Sequence, residues 1–224
     1  MAFATVVFDL DGTLIDTAPD LVETLNVIFA REGFATLPYD TARNLVGAGA
    51  KAMIARGAGA EGRILSPGKL DQMFADFIAY YSEHITDRSR PFPGVTDALD
   101  SLAARGWRFA VCTNKLERLS VLLLRRLDLA DRFVAICGQD TFGIQKPDPE
   151  ILRRTVASAG GTMRRTIMIG DSNTDICTAR AAGVPIIAVE FGYSERPVAE
   201  FAPNRTISHF AQLPASIAAI SSGI

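Results

Sequence analysis

The sequence predicts an α/β protein, a doubly wound parallel sheet with a small helical domain inserted after its first strand. Three observations carry the prediction. Short continuous runs of branched and apolar residues recur along the chain, segments of helical period separate them, and one interval between runs is far too long for a single crossover.

The runs are Thr5–Phe8, Phe109–Cys112, Val134–Cys137, Thr166–Ile169 and Ile186–Val189. Uninterrupted apolar strands suit a sheet covered on both faces, which is the parallel case. Between Phe8 and Phe109 lie about a hundred residues, where a crossover needs a dozen or so. That interval is helical by period: Leu21, Leu25, Ile28 and Phe29 follow a start at Pro19, and Leu70, Met73, Phe74, Phe77, Ile78 and Tyr81 follow Ser66-Pro67. Residues 16–88 are therefore assigned to a helical cap domain, and 1–15 with 89–224 to a Rossmann-like core. The segment Arg90-Pro91-Phe92-Pro93-Gly94 returns the chain to the core as a stiff turn, because proline fixes φ and glycine stops a helix. In the core, helices are expected around Ala98, Leu99 and Leu102 up to Gly106, from Leu119 to Leu127, and from Ile151 to Val156 up to Gly160-Gly161.

The 224 residues, 48% hydrophobic and 21% charged, suffice for one core plus an insert. A net charge of −2, spread without a block, gives no electrostatic footprint for nucleic acid or an anionic membrane. There is neither a secretory signal nor an apolar stretch long enough to span a bilayer, and the expected location is the cytoplasm. Cys112, Cys137 and Cys177 are odd in number and sit in apolar segments, which suits a reducing compartment and not a disulfide framework. His84 and His209 lack neighbouring ligand or partner residues and are assigned to structure.

Polar residues cluster where strands end. Asp9 and Asp11 follow the first, Thr113 and Asn114 the second, and Asp171, Ser172 and Asp175 the fourth, while Lys146 lies in the loop after the third. Ligands bind outside the carboxyl ends of strands in open α/β sheets, so these groups should converge. Carboxylates brought together repel unless a cation joins them, and oxygen-only ligands without His or Cys favour magnesium over zinc. Asp9 and Asp171 are the expected metal ligands; Asp175 either supports them from behind or orients Lys146. A carboxylate against magnesium can attack phosphorus, giving an aspartyl-phosphate. Asp9 is the expected nucleophile, with Asp11 donating a proton to the leaving oxygen and then activating water. Thr113, Asn114 and Lys146 would bind and neutralise the phosphoryl oxygens, and Gly12 would let backbone approach them closely. Taken alone, Asp-x-Asp-Gly-Thr is also a tight turn after a strand. Four fixed residues recur by chance only about once in 10⁵ windows, and the preceding strand supplies the required context.

With these residues in hand, the chain resembles the haloacid dehalogenase-like hydrolase superfamily over essentially its whole length, in four motifs: Asp9-Leu10-Asp11-Gly12-Thr13, Thr113-Asn114, Lys146-Pro147, and Gly170-Asp171-Ser172 with Asp175. The resemblance implies a magnesium-bound aspartate that is phosphorylated during turnover, and it adds the backbone carbonyl of Asp11 to the metal ligands. Dehalogenases of the superfamily do without the second aspartate, so the presence of Asp11 favours phosphoryl chemistry. The helical insert is similar to the cap of phosphoglycolate phosphatases and of β-phosphoglucomutase. Val46-Gly47-Ala48-Gly49-Ala50-Lys51 and Phe191-Gly192-Tyr193 resemble segments of the phosphoglycolate group. Lys51, where a mutase usually has arginine for a second phosphate, would pair with a substrate carboxylate or simply be a surface lysine.

The implied activity is a phosphatase for a small phosphorylated metabolite, with phosphoglycolate as the best guess. A phosphomutase and an inactive metabolite- or partner-binding module are the alternatives. The chain is expected as a monomer or homodimer whose cap closes about Asp16-Thr17 and Arg88–Arg90.

Overall fold

The computed structural model describes residues 3–221, and the chain divides into two compact units, one holding the chain up to Asp16 and from Pro91 on, the other Thr17–Arg90. The first unit is built on a six-stranded sheet in which every pairing is parallel. Its strands are β1 (Phe3–Phe8), β2 (Arg108–Cys112), β3 (Ala135–Cys137), β4 (Gly161–Gly170), β5 (Ile186–Val189) and β6 (Arg205–Ile207). Their order across the sheet is β3-β2-β1-β4-β5-β6, so the direction of winding reverses beside β1.

Successive side chains of a strand point to opposite faces, and here both faces are covered. Val6 and Phe8 are as fully buried as Val7 between them. On the Val7 face, Ala110, Cys112, Met168 and Ala188 pack with Ile151, Leu152 and Val156 of α7 (Pro149–Ser158) and Ile176 and Ala179 of α8 (Asn173–Ala182). Each such aliphatic side chain contributes about 1.5–3 kcal/mol by burial, so Ile151→Ala alone would remove a large part of the unit's stability. On the other face, Phe8, Phe109 and Phe133 meet edge to face at centroid separations of 6.0–6.5 Å. Three further helices belong to this unit: α5 (Val95–Ala103), α6 (Glu117–Arg126) and α9 (Leu213–Ser221).

The second unit is helical: α1 (Ala18–Arg31), α2 (Tyr39–Arg43), α3 (Ala50–Ala60) and α4 (Pro67–His84). Proline in the first turn starts α1 and α4, and Ser66 caps α4 by accepting from the Lys69 N–H at 3.3 Å. Both α1 and α3 pack on α4, burying Leu25, Ile28, Phe29, Met53, Ile54, Phe77 and Tyr81. Gly57 is required there, since a Cβ would come within 2.9 Å of the Phe29 ring. Asp20 is buried near the start of α1, where its carboxylate accepts from the Arg88 and Ser89 N–H groups at 2.9 and 2.8 Å and from the Ser89 hydroxyl at 2.6 Å.

All five predicted strands are present, and a sixth, β6, has too few residues to carry a pattern. β4 begins five residues before the apolar run, at Gly161, which pairs with Phe3 of β1 before the register shifts and Thr166 meets Thr5. The short α2 and the alanine- and glycine-rich α3 were likewise not expected, having weak apolar periodicity.

Candidate active site

Asp9 is the first residue beyond β1, the central strand of the reversal, and its N–H donates to the Ile169 carbonyl of β4 at 2.9 Å. Parallel register sets Phe8 beside Val111 and Ile169, so Asp9, Thr113 and Asp171 leave the sheet at nearly the same level. Lys146 arrives from the loop between β3 and α7 and is held by Asn114: the Lys146 N–H donates to Asn114 Oδ1 at 2.8 Å and its carbonyl accepts from Asn114 Nδ2 at 3.2 Å. The Asn114 side chain expected to bind phosphoryl oxygens thus supports the neighbouring loop.

Asp9, Asp171 and Asp175 offer carboxylate oxygens all within 4.8 Å of one another, and each residue is at most 5% exposed. Asp175 belongs to the capping box of α8, accepting from the Ser172 N–H and hydroxyl at 3.1 and 2.6 Å. Its other oxygen accepts from Lys146 Nζ at 2.6 Å, and that ammonium also lies 2.8 Å from Asp9 Oδ1. Asp171 Oδ1 accepts from the Thr13 hydroxyl at 3.0 Å and Oδ2 from the Tyr193 N–H at 2.7 Å.

Glycines make room for this carboxylate. Gly12, at φ +82°, would put a Cβ 2.5 Å from Asp171 Oδ2, and Gly192 would put one 2.2 Å from Asp171 Cβ. Gly12 therefore admits Asp171 to the first loop, a tighter reason for glycine than the phosphate approach expected from sequence.

Three buried carboxylates face one ammonium, which leaves two negative charges uncompensated. Burial pushes Asp9 up to about 8 against the pull of Lys146, with repulsion from Asp175 and Asp171 adding to the rise. Burial and then the Asp175 charge push Asp171 up to about 7, despite its bonds from Tyr193 and Thr13. Burial alone would lower Lys146, but the charges of Asp175 and Asp9 hold its pKa above the ordinary lysine value. An excess of two negative charges on hard oxygen donors fits a divalent cation such as magnesium. Burial raises the Cys112 thiol to about 12, so this neighbour of the site is no nucleophile.

Asp11 stands apart from this cluster, with Lys115 Nζ 3.0 and 3.3 Å from its two oxygens. Thr113 is buried, and its hydroxyl oxygen accepts from the Lys115 N–H at 3.1 Å. Lys51 lies in the helical unit, paired with Asp71 at 2.5 Å and 5.2 Å from the Phe74 ring centre.

Sequence reasoning missed Lys115 and the way Tyr193 serves Asp171. The first follows Thr113-Asn114 directly, so a charged residue at a strand end was the available signal. His84, read as partnerless, has its Nδ1 2.7 Å from Asp87 Oδ2 and stacks on Tyr80.

A profile of haloacid dehalogenase-like hydrolases matches residues 6–189. The chain is 45% identical over 218 residues to a phosphoglycolate phosphatase of Mesorhizobium japonicum, covering 97% of this chain and 96% of the relative. It is 44% identical to one of Caulobacter vibrioides, covering 94% and 89%. Among solved structures, a predicted phosphoglycolate phosphatase from Haemophilus somnus superposes with a TM-score of 0.88 at 25% identity, over 95% of this chain and 97% of that one. With its motifs gathered at one end of the sheet and the match spanning most of its length, the chain belongs to the haloacid dehalogenase-like hydrolases.

Proposed function

We propose that this chain is a magnesium-dependent phosphomonoester hydrolase working through an aspartyl-phosphate at Asp9, with phosphoglycolate as its substrate. The observation that carries the reading is the buried Asp9–Asp171–Asp175 cluster with one lysine inside it, whose carboxylates can all be ionised together only with further positive charge. The substrate rests on the names of relatives that are 44–45% identical over nearly the whole chain.

Asp9, Asp171 and the Asp11 carbonyl would hold magnesium, which when bound supplies charge for the phosphoryl oxygens and holds Asp9 ionised. A carboxylate oxygen of Asp9 attacks phosphorus, the bond to the ester oxygen breaks, and that oxygen takes the proton of Asp11. Asp11, now a base, removes a proton from water, whose oxygen attacks the aspartyl-phosphate and releases inorganic phosphate and free Asp9. Lys146 fixes Asp9 and offsets charge on the transferring group, while Asp175 holds the Lys146 ammonium in place. The Thr113 hydroxyl hydrogen serves a phosphoryl oxygen, its lone pair being used by the Lys115 N–H. Asn114 acts by positioning Lys146. Lys51 is the candidate for the substrate's carboxylate, and the helical unit is its cap.

Purified protein should release phosphate from phosphoglycolate only with magnesium present, and Asp9→Asn should release none. Activity that survives both chelation and that substitution would refute the reading. Lys51→Ala should raise KM for phosphoglycolate and leave KM for p-nitrophenyl phosphate unchanged.

A further inference from the structure

Each aspartate of the first loop has its own lysine. Lys146 meets Asp9, and Lys115 meets Asp11. The Lys115 side chain is 5% exposed, close to the 7% of Asp9, although no motif drawn from the sequence included it.

Its placement is held from the backbone outward. The Lys115 N–H donates to Thr113 Oγ1 at 3.1 Å, and its carbonyl accepts from the Gln139 N–H at 3.2 Å. Gly138 allows the two loops to touch, since a Cβ there would lie 2.4 Å from the Lys115 oxygen and 2.3 Å from the Glu117 nitrogen. The contact is closed by the Glu117 N–H donating to Asp140 at 2.8 Å. A lysine in water samples many rotamers, so an ammonium held by its backbone and by burial is a preorganised point of charge.

That point lies within reach of both oxygens of Asp11, at 3.0 and 3.3 Å, which holds the direction of the carboxylate. An acid/base group needs this, because misplacement by about 1 Å costs on the order of 100-fold in rate. We infer that Lys115 is a positioning residue that aims the Asp11 carboxylate at the leaving-group oxygen. The inference rests on the reading of Asp11 as the acid/base and extends it to the residue that orients it. Lys146 cannot substitute, since its ammonium is taken by Asp9 and Asp175.

The test is a double-mutant cycle on the full chain with magnesium, using Lys115→Met, Asp11→Ala and the pair. Phosphoglycolate, whose alkoxide needs a proton to leave, is compared with p-nitrophenyl phosphate, whose nitrophenolate does not. Lys115→Met should lower kcat for phosphoglycolate about 100-fold with KM within about 2-fold of wild type. With p-nitrophenyl phosphate it should keep a rapid burst of nitrophenolate before a slowed steady state. The double variant should be no slower than Asp11→Ala alone, as expected when one residue acts only through the other. Lys115→Arg should recover part of the rate, and Lys115→Gln repeats the measurement should the methionine variant fail to fold.

Losses that multiply in the double variant, or a loss of the burst in Lys115→Met, would overturn the inference and give Lys115 a separate role. A wild-type rate for Lys115→Met beside a crippled Asp11→Ala would overturn the inference and leave the acid/base reading standing. A wild-type rate for Asp11→Ala would overturn both.

Discussion

Two regions of the molecule bury carboxylates, and they do so in opposite ways. In the helical unit, Asp20 is surrounded by donors: two backbone N–H groups and a hydroxyl from Arg88 and Ser89 satisfy it with neutral hydrogen bonds. At the carboxyl ends of β1 and β4, Asp9, Asp171 and Asp175 face one another and share a single lysine. The first arrangement is complete as it stands. The second sets carboxylate against carboxylate with more negative than positive charge, which is how a candidate site differs from a structural contact.

That contrast can be broken by substitution. The largest expected effect is on turnover: Asp9→Asn should lower kcat by about 10⁴-fold or more, as loss of a nucleophile does, while Asp20→Ala should leave kcat within a few-fold of wild type. Next comes stability. Asp175→Ala removes one partner of Lys146, which keeps Asp9, and the capping box of α8, and should cost about 2–4 kcal/mol by urea denaturation. Asp20→Ala should cost about 1–3 kcal/mol, independently of magnesium, because what it loses are hydrogen bonds to a buried charge. An equal magnesium dependence for the two variants would erase the distinction.

The pH dependence sharpens the comparison. Asp9 and Asp171 are raised to about 8 and about 7 without metal, above the ordinary carboxylate value near 4. The folded, metal-free protein thus binds protons more tightly than the unfolded chain at these sites. Their contribution to stability is present at low pH and is lost as pH rises from about 4 through about 8. Magnesium favours the ionised carboxylates, so the rise in Tm that it produces should grow between pH 5 and pH 8. A shift that shrinks with pH would contradict the charge balance. The smallest effect belongs to the exposed pair Lys51–Asp71, whose side chains are 52% and 64% exposed: Asp71→Ala should change stability by less than about 1 kcal/mol.

What the sequence reveals divides along the same line. The strand runs, the long gap after Phe8 and the polar residues at strand ends were legible because burial imposes continuous apolar stretches and function imposes charges where the apolar run stops. Asp175 was legible as a supporting residue from its helical spacing behind Asp171, and its capping box gives the physical reason for that spacing. Lys115 also stands at a strand end, but its role was not legible, since a lysine's partner depends on where the side chain lands and nothing local marks Asp11, 104 residues away, as that partner. The same holds for Tyr193, which reaches Asp171 by a backbone N–H that any residue but proline could offer. For Asn114 the partner that the structure shows, the Lys146 peptide group, was not legible, because an amide's two ends match a peptide group as well as a phosphate.

Covalent attack by Asp9 is tested by trapping the intermediate. Enzyme mixed with phosphoglycolate and magnesium, quenched in acid within the first turnover and reduced with borohydride, converts a phosphorylated aspartate to homoserine that peptide mass spectrometry locates. The account predicts homoserine at position 9 and unmodified aspartate at 11, 171 and 175. Unmodified Asp9 during active turnover, or homoserine at position 11 in its place, would contradict it.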